Sequence, residues 1–349
     1  MFWKRYRPLA LMAALLLLPG CESLTVLYPA GDVAAQQSDL IIASTLLMLI
    51  IIVPVILLTL FFAWRYRASN KRATYAPEWS HSTGLEVIIW AAPLAIIIAL
   101  GGITWVGTHV LDPYRPLGRI DAARPVEDGV LPLEVEVVSL DWKWLFIYPQ
   151  QGIATVNELV APVDVPINFR ISSENNMNTL WVPTLAGMIY SMPGMETKLH
   201  AVINRAGVFE GRSGHYSGAG FSDMHFKFHG MNQTDFTAWV ERVRAEGGGT
   251  LDRARYIELA KPSVADPVRY FGGFEDGLFR AIVERCVRPG TTCMSEMMHG
   301  AGGHGGPAAP NRQPSSSESS APAATPADGH GGHGGHAPGS PPTSSGTTE

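Results

Sequence analysis

The chain of 349 residues is poor in charge and in sulfur. Charged residues make up 16% of it against 46% hydrophobic, and there are three cysteines. Three thiols exclude a small disulfide scaffold. The 26 Lys and Arg do not balance the 31 Asp and Glu, and the formal charge of −5 argues against nucleic acid as a partner. Two long stretches lack charge altogether. Leu40–Trp64 runs for 25 residues and Val87–Val106 for 20 without an Asp, Glu, Lys or Arg. At about 1.5 Å rise per residue, each reaches across a hydrocarbon core of about 30 Å. Pro54 and Pro93 lie inside these runs, where membrane helices tolerate them with kinks.

The N-terminus has the pattern of an export signal. Lys4, Arg5 and Arg7 precede the apolar Leu9–Leu18, and Leu18-Pro19-Gly20-Cys21 follows the form of a bacterial lipobox. Residues 1–20 are expected to be a lipoprotein-type leader, with Cys21 as the lipidation site. An ordinary leader with an incidental Cys is the alternative. Membrane helices are expected over 40–64 and 85–108. Arg65, Arg67, Lys71 and Arg72 sit in the intervening 65–84 segment, whereas 21–39 carries no basic residue. The loop is therefore read as cytoplasmic, and 21–39 and everything after the second span as periplasmic. Glu86, at the start of the second span, reads either as an interfacial carboxylate favoured by the helix dipole or as a proton-entry group. His81 and His109 read as structural.

After a Pro/Gly/Arg-rich linker over 109–130, short apolar runs recur. In Leu133–Leu140, Leu133, Val135 and Val137 alternate with Glu134 and Glu136, and Val165–Ile171 repeats the pattern. Breaks every eight to twelve residues predict an all-β sandwich over 131–232. Helices are expected over Asp235–Glu246, Leu251–Leu259 and Phe271–Arg285, within an extension over 233–290. Cys286 and Cys293 are seven apart, which suits either a small-loop disulfide or two free or partner-bound thiols. Residues 291–349 are rich in Met, His, Gly, Pro and Ser. They are expected to be disordered, solvated or metal-scavenging.

Within the sandwich, Gly211–Met224 has the length of a loop that wraps a cofactor, but it holds serines where thiolates could sit. With the helical hairpin, this resembles subunit II of the haem-copper respiratory oxidases. That family has an outer cupredoxin domain and, in its cytochrome c oxidases, a dinuclear copper centre. The family places a His before Trp/Phe-Val-Pro, then Cys-x-Glu-x-Cys-x3-His-x2-Met. Here Asn178 stands at the first His position, before Leu180-Trp181-Val182-Pro183. Ser213 and Ser217 stand at the Cys positions, His215 at the Glu, Phe221 at the second His, and Met224 at the Met. Bridging thiolates suit copper and serine hydroxyls do not.

That combination is similar to the quinol-oxidising branch, the bo-type ubiquinol oxidases. Leu140–Pro149, Gly152–Glu158 and Trp79-Ser80-His81-Ser82 read like that branch. The resemblance implies a bacterial inner-membrane chain, part of a proton-pumping complex that oxidises ubiquinol and reduces oxygen to water. It implies no cofactor in this chain, with haems and copper in subunit I, and subunits I, III and IV and membrane lipids as partners. It matches Glu86 to a carboxylate near the mouth of a proton path. Trp142 and Trp144 match the aromatic patch for electron entry in copper-bearing relatives; without copper, they are expected to serve packing and contact with subunit I. A cytochrome c-oxidising subunit II or a membrane-anchored copper-delivery protein are the competing readings.

Overall fold

The computed structural model describes residues 25–300 apart from Tyr75 and Asp128. The expected leader, Cys21 and the tail beyond residue 300 lie outside the described residues. Helices α1 (Asp32–Arg65) and α2 (Thr83–Val110) are long and apolar enough to cross a membrane. Leucine and isoleucine side chains stand exposed along both, with Phe61 and Phe62 on α1 and Trp90 and Trp105 on α2. A helix hydrophobic all round must be covered by lipid or by other helices.

Helix α1 begins at Asp32, inside the segment expected to precede the helix. Asp32, Ala34, Ala35, Gln36 and Gln37 supply an acidic first turn and good helix formers. The entry is fastened to the outer domain. The Ala30 and Gly31 N–H groups donate to the Thr184 carbonyl at 2.8 and 3.0 Å, and the Asn204 N–H donates to the Ala30 carbonyl at 2.7 Å. Arg119 donates to Asp32 at 2.9 Å. A Cβ on Gly31 would lie 2.4 Å from the Val202 carbonyl oxygen, so only glycine allows this approach.

The outer domain is a sandwich. One sheet is ordered β12-β3-β2-β1-β5-β8, and the other β4-β10-β9-β6-β7. The strands are β1 (Leu133–Leu140), β2 (Lys143–Tyr148), β3 (Ile153–Val156), β4 (Glu158–Pro162) and β5 (Pro166–Ser173). Next come β6 (Asn178–Trp181), β7 (Ile189–Ser191), β8 (Thr197–Val202), β9 (Gly207–Ser213) and β10 (His225–Met231). Three short strands follow: β11 (Thr250–Leu251), β12 (Arg269–Phe271) and β13 (Gly273–Phe274). Between the sheets lie Val135, Val137, Trp144, Phe146, Phe169, Phe226 and Phe228.

The alternation in β1 stops after Val137. Val138 and Leu140 are buried too, on the outer face, with Leu145, Ile147, Ala154 and Val156. The C-terminal arm covers them with Leu251, Tyr256, Leu259, Leu278, Phe279 and Ile282. In the arm, α3 (Gln233–Glu246) is capped by Asn232 and α4 (Arg253–Leu259) by Asp252. The expected helix from Leu251 thus starts later, after a short strand. The helix expected over Phe271–Arg285 is corrected more strongly. Gly272, Gly273 and Gly277 break it into β12, β13 and a short α5 (Leu278–Val283). A last helix, α6, spans Met294–Gly300 and corrects the expectation of disorder from residue 291 onward over that stretch. Cys286 and Cys293 form a disulfide just before it, which settles the two alternatives.

Buried charge fixes the arm. Lys143, fully enclosed, donates to the Lys261 carbonyl at 2.8 Å and faces Asp266 at 3.6 Å. Burial pulls its ammonium below the usual lysine range, partly offset by Asp266. On the same outer face Glu136 is pushed up to about 7. Burial dominates; Arg170 at 2.8 Å opposes it, but that guanidinium is shared with Glu196, which it grips through two nitrogens.

Candidate functional site

Of the positions in the degenerate motif, the structure joins Asn178, Ser213 and the His215 carbonyl through hydrogen bonds. Asn178 opens β6 and Ser213 ends β9. Both are buried, and the loop 214–224 folds back so that the Ser213 N–H donates to the Met224 carbonyl at 3.1 Å. The Ser213 hydroxyl donates to Asn178 Oδ1 at 3.0 Å, with the His215 carbonyl as a second acceptor at 3.2 Å. Asn178 Nδ2 donates to Ser139 Oγ at 3.1 Å, and Ser139 Oγ donates to Ser173 Oγ at 3.1 Å. Ser173 Oγ closes the chain on the Asn176 carbonyl. These polar atoms are buried and paired, which is the condition under which burial is tolerated. Ser139 and Ser173 escaped the sequence reading. Ser139 sits in the non-alternating stretch Val137-Val138-Ser139-Leu140, where a small polar residue among buried apolar ones was a usable signal.

The remaining loop residues divide. Met224 is buried in the core between the sheets. The Phe221 ring meets Tyr216 edge-on at 5.6 Å, and the His215 ring meets Tyr190 at 6.0 Å. The Ser217 carbonyl accepts from the Trp142 indole at 3.1 Å, and the Ser217 hydroxyl is buried without a partner among the described residues. Trp142 acts as the former of the loop. A Cβ on Gly220 would lie 2.6 Å from its ring. Trp144 needs correction as a subunit contact: it is fully enclosed in the core, edge-on to Phe226 at 5.9 Å, and cannot touch another chain. Its indole nitrogen has no partner among the described residues. Trp142, half-buried beside the loop, remains the member of the pair near the surface.

At the far end of the helices, Glu86 lies in the first turn of α2 and its backbone N–H donates to the Ser82 carbonyl at 3.0 Å. Its carboxylate faces His81 at 3.5 Å, and both side chains are at least half exposed. His81, read as merely structural, is thus the partner of Glu86. His109 lies 2.8 Å from the Trp105 carbonyl at the other end of α2.

The sandwich matches the family Cytochrome C oxidase subunit II, periplasmic domain, over residues 136–230, and the arm matches the COX Aromatic Rich Motif over 245–290. Cytochrome bo(3) ubiquinol oxidase subunit 2 of Pseudomonas putida is 49% identical over 271 residues, 78% of this chain and 83% of that one. Its counterpart in Pseudomonas aeruginosa is 48% identical over 274 residues, 78% and 80% of the two chains. Ubiquinol oxidase subunit 2 of Acetobacter aceti is 48% identical, covering 78% and 86%. The chain belongs to the ubiquinol oxidase subunit 2 family. Its architecture is a hairpin of two apolar helices carrying a cupredoxin-like sandwich, and its setting is a subunit of a quinol oxidase. The copper positions of this subunit II do not fit that metal. An amide, two hydroxyls and a phenyl ring stand where thiolates and imidazoles would be required, and the lone pairs of Asn178 and Ser139 already hold protons from neighbours.

Proposed function

We propose that this subunit II serves a complex that oxidises ubiquinol, reduces oxygen to water and pumps protons, and that the chain itself holds no redox centre. The observation that supports this is the Ser213–Asn178–Ser139–Ser173 chain, a neutral, hydrogen-bonded filling of the metal loop. Without copper there is no acceptor for electrons from cytochrome c. Electrons then enter through quinol on subunit I, which carries the haems and copper. Subunits III and IV complete the assembly. This chain supplies the rigid outer cap and two inner-membrane spans, anchored further by lipid on Cys21.

Glu86 is proposed as a proton-entry group. It lies half exposed at the cytoplasmic helix start, with the His81 ring 3.5 Å from its carboxylate. The test is direct. The purified complex is assayed with ubiquinol and with reduced cytochrome c, and metals are counted per subunit. Turnover on quinol without a near-infrared copper band is expected; turnover on cytochrome c alone would overturn the proposal. Glu86→Gln should slow proton-coupled turnover, and unaltered turnover would remove Glu86 from the path.

A further inference from the structure

Two cavities abut at the outer end of the helical hairpin. The upper one, about 440 Å³, lies where the first turn of α1 meets the linker, and is lined by Asp32, Gln36, Asp112, Arg115, Arg119 and His200. The lower one, about 540 Å³, is an apolar groove between α1 and α2, lined by Leu40, Ala43, Gly102, Ile103, Val106 and Gly107. Gln36, Val110 and Leu111 line both, so one molecule can occupy the pair.

The groove has the depth of one leaflet. Gly102 to Leu111 is about 13.5 Å of helix at about 1.5 Å per residue, against about 15 Å for half of a hydrocarbon core of about 30 Å. The upper cavity has charge to spare in both signs. Asp32 and Arg119 neutralise each other at 2.9 Å. The Arg115 guanidinium has no partner among the described residues. Among the described residues, the Asp112 carboxylate accepts only the backbone N–H of Tyr114, at 2.9 Å. His200 is held below the usual histidine range by burial, and its Nδ1 is engaged by Asn168 Oδ1 at 2.6 Å. A cation and an anion are thus left free above an apolar slot.

We infer that this paired cavity is a site for one zwitterionic glycerophospholipid of the outer leaflet, with phosphate on Arg115, ammonium on Asp112 and an acyl chain in the groove. The inference rests on α1 and α2 spanning a membrane. Its occupant pins the helical hairpin to the outer domain at the point where α1 enters the sandwich.

The experiment uses the whole complex in nanodiscs with a phosphatidylethanolamine carrying a photoreactive group in its acyl chain. After irradiation and digestion, label should concentrate on residues 36–43 and 102–111. Unlabelled phosphatidylethanolamine should compete and phosphatidylglycerol should not. Arg115→Glu should cut the label at least five-fold, and so should Gly102→Leu, whose new side chain fills open space, since nothing lies within 4 Å of a Cβ there. Cys21→Ser should leave it unchanged. Label spread evenly along both helices, label indifferent to Arg115→Glu, or equal competition by phosphatidylglycerol would overturn the inference. A rise in label on Cys21→Ser would also overturn it, by giving the groove to the chain's own N-terminal acyl groups. Subunit content and quinol turnover are measured on the same samples. Loss of label in an assembled, active Arg115→Glu complex then tests the lipid site separately from the oxidase assignment.

Discussion

Asn178→Leu probes the closed metal loop at its centre. Asn178 is 2% exposed, accepts from Ser213 and donates to Ser139. Leucine has nearly the same shape and removes these bonds together with the long one from Asn178 Nδ2 to the Asn176 carbonyl, which keeps Ser173 as a donor. Ser213 can turn its proton to the His215 carbonyl, 3.2 Å away, and Ser139 still donates to Ser173. One buried acceptor, Ser139 Oγ, loses its donor. An unsatisfied buried polar group costs about 1–3 kcal/mol, so the variant should lose about 2 kcal/mol. For a domain of this size that is about 4–8 °C in melting temperature, read by thermal unfolding of the purified complex. Adding Ser139→Ala removes the stranded acceptor, so the double variant should be more stable than the sum of the singles by about 1 kcal/mol. Quinol turnover below the melting range should not change. A melting temperature within 1 °C of the parent, or strictly additive losses, would refute the hydrogen-bond account. Reduced turnover in an intact complex would refute the view that the loop is only structural.

Other perturbations test the surrounding fold. Glu136 has a folded pKa of about 7 against an ordinary 4.5, so the folded state holds its proton more tightly than the unfolded state. The protonated, buried carboxyl therefore stabilises the fold in acid, and that contribution is lost as pH rises above the ordinary carboxylate range through about 7. Glu136→Gln should flatten that fall, and a melting curve against pH unchanged by the substitution would contradict it. Gly220→Ala drives a methyl into the Trp142 ring, which the Ser217 carbonyl holds in place. A loss of about 1–3 kcal/mol with a changed tryptophan emission is expected. Replacing Cys286 and Cys293 by serine removes a short-loop crosslink worth about 2–3 kcal/mol in the chain-entropy picture. Trypsin should then cut at Arg285 or Arg288 far faster while quinol turnover holds, and equal cutting rates would show that the disulfide does not secure α6.

The helices and the inter-sheet core were legible because their signals are local. Uncharged runs and alternation act within a few positions. The arm was less legible because its burial partner is remote in sequence. Val138 and Leu140 look like errors of alternation until residues 250–287 are laid over them, and Lys143 looks like a surface lysine until Lys261 and Asp266 enclose it. The motif located the copper-site positions through the spacing of Asn178, Ser213 and Met224. It could not show that Ser139 and Ser173 complete the network, because β1 and β5 come together only by parallel pairing, with Ser139 opposite Ser173. Trp144 was misjudged for the same reason: neighbours in sequence, Trp142 and Trp144 differ because Trp142 sits at φ +66° in the turn before β2.

The chemistry of the loop explains why its substitutions belong together. A serine at position 213 in a buried loop brings a hydroxyl proton that needs an acceptor, and Asn178 Oδ1 is the group that takes it. An asparagine at 178 brings an amide that must also donate, and Ser139 and Ser173 carry that bond out to the Asn176 carbonyl. Either residue without the other leaves a buried polar atom unpaired, at about 1–3 kcal/mol. A thiolate at 213 would place a charge beside an amide oxygen, and an imidazole at 178 would have to displace the Ser139 contact. The loop therefore stands as a coupled set, stable as a neutral network and costly to change one residue at a time. Trp142 and the core around Phe226 hold its backbone, so the loop stands on packing and hydrogen bonds.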